Sequence, residues 1–99
     1  MNTINPKAKF ELDFDKFIAE TMTDLGVEFP KLKLRVKREG AVQAIKTLLL
    51  DRDENSFGYL ILKDKGRLDR SIEQFVLDHV ESGFFTGLEI EIARKRLGI

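Results

Sequence analysis

Two folds compete over the stretch Pro30-Lys31-Leu32-Lys33-Leu34-Arg35-Val36-Lys37-Arg38-Glu39-Gly40. From Lys31 to Lys37 charged and aliphatic residues alternate, which is the pattern of a strand with one face on a core. The same residues suit a helix opened by Pro30, because a missing N–H costs nothing in a first helical turn. In that helix Leu32 and Val36 share a face with Phe29, and Gly40 ends either element. A strand here would give a mixed fold, a helix an all-α one.

The flanking segments read as helices. Upstream, Asp13 is a good N-cap, and Leu12 can staple against Phe17. Phe14, Phe17, Ile18, Met22 and Leu25 form one stripe at helical period, and Gly26 supplies a left-handed stop. The spacing predicts a helix over 14–25, a flexible arm over 1–9 and a single helical domain over 10–99. Downstream, Ala41, Val42, Ile45, Leu48 and Leu49 predict a helix over 41–50. The apolar segment 57–63, with Ser56 as a candidate cap and a turn at Lys65-Gly66, fits helix or strand equally. Ser71 and Gln74 have capping-box spacing ahead of Ile72, Phe75, Val76, His79 and Val80, so a helix is expected over 71–81, stopped by Gly83. Thr86 and Glu89 repeat that spacing. Leu88, Ile90 and Ile92 alternate like a strand, but the cap and the extension of the apolar face to Ala93 and Leu97 favour a final helix.

Ninety-nine residues with 42% apolar content and eight Phe suffice for one core and leave no room for a second domain. The chain has no Cys, which excludes disulfides, thiolate nucleophiles and cysteine metal sites. Lys+Arg and Asp+Glu are each 17, so the formal net charge is zero, whereas a dedicated polyanion binder normally carries a basic excess. The polar start of the chain has no apolar signal region, and the longest apolar runs, Leu48–Leu50 and Tyr59–Leu62, are far too short to span a bilayer. A cytoplasmic protein without membrane contact is the expectation.

Several stretches, taken in order, resemble a short bacterial helical module that occurs alone or at the C-terminal end of longer chains. They are Gly40-Ala41-Val42-Gln43-Ala44-Ile45-Lys46-Thr47-Leu48-Leu49, Phe57-Gly58-Tyr59-Leu60, Gly66-Arg67-Leu68-Asp69, Ser71–Leu77 and Phe85-Thr86-Gly87-Leu88-Glu89 through Arg94. The module's pattern reads roughly GGVEAAKRLL … GFxxLWExGRLDLTVEALVL … LFTEEELxxARxRL, and the resemblance covers about residues 29–97. It implies an all-helical fold, with both ambiguous segments helical, and no particular activity. The chain departs from the pattern at Ile61 (near the usual Trp), at Gly87 (Pro or an acidic residue) and at Phe84-Phe85 (Leu-Phe). None of these is a catalytic residue type, so they bear on packing.

Chemistry-bearing constellations are sparse. Asp51-x-Asp53-x-Asn55 begins like a calcium loop, but Ser56 stands where the turn glycine belongs and Leu62 where the closing bidentate Glu belongs. The expected reading is an inter-helix loop with no metal. His79 is the sole histidine, which rules out a His–His metal pair; a half-buried structural ring near a helix C-terminus is expected, with a general base as the minor alternative. The carboxylates have local capping and pairing roles, the seven Gly are scattered, and no catalytic set, phosphate loop or cofactor motif emerges. If 31–38 is helical, Lys31, Arg35 and Arg38 line one face that could meet nucleic-acid phosphates. An ordinary solvated face looks the same, and no aromatic residue is interleaved for base stacking.

These features point to an all-α bundle of about six short helices. They favour a non-catalytic module that self-associates or docks to a larger protein, with Leu50, Ile61 and Leu62 as the candidate surface. Nucleic-acid binding through Lys31, Arg35 and Arg38 is the alternative, and an enzyme of unrecognised type comes third. No cofactor and no small-molecule substrate are expected.

Overall fold

The computed structural model describes residues 5–50 and 59–99. The first helix, α1, runs Pro6–Leu25 and so begins eight residues before the expected Phe14. Asn5 caps it: its Oδ1 accepts from the Lys7 N–H at 2.8 Å, and Pro6 takes the first position, where its fixed φ is already helical. The arm expected over 1–9 is therefore helical from Pro6 to Lys9, while Met1–Ile4 lie outside the described residues. Asp13 is not a cap. It lies two turns inside the helix and accepts from Lys9 Nζ at 3.3 Å. The early start adds Phe10 to the inward stripe of Phe14, Ile18 and Thr21. The Thr21 hydroxyl, fully buried, donates to the Phe17 carbonyl at 2.9 Å. Gly26 ends α1 in the left-handed region, at φ 64° and ψ 35°.

The contested segment is helix α2, Pro30–Glu39. Leu32 is buried and Val36 half-buried on its inner side, while Leu34 faces solvent. After Gly40 comes α3, Ala41–Leu50, which buries six of its ten side chains. It packs against α1, α2 and the last helix and is the central helix of the fold. Helix α4, Tyr59–Asp64, follows. The candidate cap Ser56, Phe57 and the Asp51–Asn55 run lie outside the described residues.

A 3-10 turn at Leu68–Arg70 leads into α5, Ile72–Asp78, whose N-cap Ser71 accepts from the Gln74 N–H at 3.2 Å. Only half of this capping box forms, because the Ser71 N–H donates to the Leu68 carbonyl at 3.1 Å and the Gln74 amide donates forward to Asp78. Helix α5 also ends three residues before the expected 81: His79 leaves helical geometry and Val80–Ser82 tightens into a 3-10 turn. At α6, Gly87–Leu97, the box is complete. Thr86 Oγ1 accepts from the Glu89 N–H, and Glu89 Oε1 accepts from the Thr86 N–H at 2.8 Å.

The elements form an all-α domain, with no strand among the described residues. Its centre is aromatic. The Phe75 ring on α5 lies 5.3, 5.1 and 4.9 Å, centroid to centroid, from Phe10, Phe14 and Phe17 of α1. Phe10 also meets Phe84 and Phe85 ahead of α6. The start of α1 is thereby fastened to the last third of the chain. The radius of gyration is 13.1 Å, close to the roughly 13 Å of a folded 100-residue domain.

Candidate interaction surfaces

The three residues expected to form an apolar surface divide. Leu50, at the end of α3, is 53% exposed and Ile61, on α4, is 44% exposed, whereas Leu62 is 4% exposed and belongs to the interior. Leu62 is thus removed from the candidate surface. Successive helical residues point about 100° apart, so a short helix that turns Leu62 inward leaves Ile61 outside. Leu34 of α2 is a further exposed aliphatic side chain.

On α2, Lys31 and Arg38 are exposed and Arg35 is half-buried. The helix carries five cationic residues, Lys31, Lys33, Arg35, Lys37 and Arg38, against one acidic residue, Glu39. Among the described residues, none of the five makes an ion pair. Lys37 and Arg38 sit at the negative end of the helix dipole, which favours them; Lys31 sits at the positive end, which does not.

His79 lies within the aromatic core. Its ring stacks on Phe75 at 4.0 Å and meets Phe10 edge-on at 5.5 Å. Its Nδ1 is 2.8 Å from the Phe75 carbonyl and donates to it in the matching tautomer. With one nitrogen engaged by backbone and the ring between aromatics, a packing role fits the geometry. Among the described residues, no group of three or more His, Asp or Glu is placed to hold a metal ion.

Two charged pairs in the interior were not foreseen from the sequence. Lys46 Nζ donates to Glu89 Oε1 at 2.8 Å and lies 5.6 Å above the Phe85 ring centre. Burial alone would push the Glu89 carboxyl up. The Lys46 hydrogen bond, the Thr86 N–H and the lysine charge outweigh that and hold it below the usual glutamate range. In the second pair, Arg96 Nη1 donates to Glu73 Oε2 at 3.0 Å and to the Leu48 carbonyl at 3.1 Å, while Nη2 donates to the Leu49 carbonyl at 3.1 Å. One guanidinium thereby satisfies carbonyls at the end of α3 and joins them to α5 and α6. The available signal was a charge on an apolar stripe: Glu73 lies one turn before Val76, and Arg96 one turn after Ala93.

A groove of about 530 Å³ lies between α1 and α2. The two helices run antiparallel, since Glu11 near the start of α1 accepts from the Ala41 N–H just beyond the end of α2. Phe14, Ile18 and Leu32 form the buried floor; Ala19, Met22 and Val36 line the more open part. Glu11 and Asp15 edge the α1 side, Lys33 and Lys37 the α2 side. Beyond Met22 and Lys33 it continues into a second depression of about 550 Å³, under the Gly26–Phe29 connection. In the sequence Met22 and Val36 are distinguished only as core-stripe positions. The missing information is tertiary: how far apart the two helices stand.

The geometry offers an apolar groove and exposed aliphatic and cationic side chains, and no convergent reactive groups among the described residues. No family model, curated protein or solved structure matches the chain.

Proposed function

We propose that the protein is a non-catalytic interaction module that self-associates through aliphatic side chains on its helix surfaces. The observation that carries this reading is the exposure of Leu50 and Ile61 on successive helices, beside further exposed aliphatic side chains at Leu12, Leu34 and Leu88. Exposed aliphatic residues that gather into a patch beyond a few hundred Å² favour association over a free monomer. The test is light scattering over a concentration series for wild type, Leu50→Glu and Ile61→Glu. Association in the wild type, lost in both variants with their thermal melts unchanged, supports the reading. A wild type that stays monomeric throughout overturns it.

A second reading is favoured by the five cations of α2, which make no ion pair among the described residues: docking to nucleic-acid phosphates through Lys31, Arg35 and Arg38. Charge reversal at any of the three would weaken binding uniformly across sequences and flatten the log–log salt slope by about one unit per lost phosphate contact. Absence of binding to duplex and single-stranded DNA or RNA at low salt eliminates this reading.

A further inference from the structure

The geometry points to the α1–α2 groove as a docking site for one amphipathic helix of a partner protein, with a cationic edge against α1 and an anionic edge against α2. This goes beyond self-association and uses neither Leu50 nor Ile61, so either idea can fail without the other.

Charge complementarity argues for this occupant. Asp15 on one rim and Lys33 and Lys37 on the other are exposed, and among the described residues they make no ion pair. The opposite charges face each other across an apolar floor without closing over it. A polyanion laid in the groove would meet Asp15 and Glu11. A small apolar molecule could use the floor but would leave both rims unmatched. A helix with apolar residues one turn apart satisfies both, because its apolar stripe covers Ala19, Met22 and Val36 while its flanks reach the rims. From Glu11 to Met22 the α1 wall spans about 16 Å at 1.5 Å per residue, or three helical turns. Rims of opposite sign also fix direction, since turning the helix end for end would bring like charges together.

The probe is a synthetic 15-residue helical peptide with Leu at one-turn spacing, Lys along one edge and Glu along the other. Two control peptides carry the same Leu residues with Lys on both edges or Glu on both. The expected result is that the mixed peptide binds at least tenfold tighter than either control, with amide shifts concentrated over residues 15–22 and 33–37. Ala19→Arg, at an exposed position where it leaves folding intact, should weaken it at least tenfold. A spin label on the peptide N-terminus should broaden signals at one end of the groove. In the variant Asp15→Lys with Lys33→Glu and Lys37→Glu it should broaden the other end. Equal affinity for all three peptides, no binding, or shifts away from the groove overturns the proposal. So does dodecanoate perturbing these residues where the mixed peptide does not.

Discussion

Glu89 carries two roles on one carboxylate almost out of water: it completes the cap of α6 and accepts from Lys46. Its pKa in the folded chain lies below the usual glutamate range, against about 4.3 for an unperturbed glutamate. A group depressed in this sense contributes its full stability above the unfolded value and loses it as pH falls through the folded value. Stability should therefore drop as the medium is acidified from about pH 5 downward. Glu89→Gln should be less stable than wild type at neutral pH and should show a flatter pH dependence in that acid window, measured by urea titration at several pH values. Arg96 gives a complementary case. Its removal strands the buried Glu73 carboxylate, so Arg96→Ala should cost about 3 kcal/mol or more. The double variant Arg96→Met with Glu73→Leu should recover most of that loss, because an apolar pair of similar volume avoids the desolvation cost. If the double variant is as unstable as the single one, the carbonyl contacts to Leu48 and Leu49 matter more than the ion pair.

At the level of single helices, the beginning of α1 supplies the sharpest test. The helix is capped by Asn5 and opened by Pro6, so Asn5→Ala should cost about 1 kcal/mol. Asp13→Ala removes only an exposed pair with Lys9 and should change stability by less than about 0.5 kcal/mol. Thermal melts of the two variants rank them, and the reverse order would place the helix start near Phe14. The comparison also shows what sequence reading could reach. Caps next to a clear apolar stripe were legible: Gly26, the Thr86–Glu89 box and the bounds of α3 all appear where expected. The start of α1 was missed because Lys7-Ala8-Lys9 has no apolar periodicity, so Asp13 before Phe14 looked like the stronger boundary. The alternating run in α2 was undecidable by period alone. Leu32, Leu34 and Val36 fit two faces of a strand as well as an inner and an outer side of a helix. The candidate surface was half legible: Leu50 and Ile61 lie outside, but which of two adjacent aliphatic residues on α4 turns inward depends on the packing of that helix.

Across the whole molecule, one ring joins the first helix to the last third of the chain. Phe75 touches Phe10, Phe14 and Phe17 of α1 and stacks on His79, whose ring also meets Phe10. Helix α1 also reaches α3, and through Phe10 the Phe84 and Phe85 rings, while its side toward α2 is left partly open by the groove. Truncating Phe75 would leave a cavity bounded by three other phenylalanines, and such rings cannot collapse into the space without leaving their own positions. Phe75→Ala should therefore lie in the range of about 3–5 kcal/mol. That is a large part of the roughly 5–15 kcal/mol available to a domain of this size. At about 4–8 °C per kcal/mol for a short domain, the midpoint should fall by more than about 12 °C. Phe75→Leu, which keeps much of the volume, should lose distinctly less. The readout is calorimetry with hydrogen exchange along α1. A loss spread over α1, α3 and α5 together means that the aromatic cluster makes them one cooperative unit. Exchange that rises in α1 alone, with α3 and α5 still protected, would mean that α1 docks as a separable layer, and the cluster would then be a local contact only.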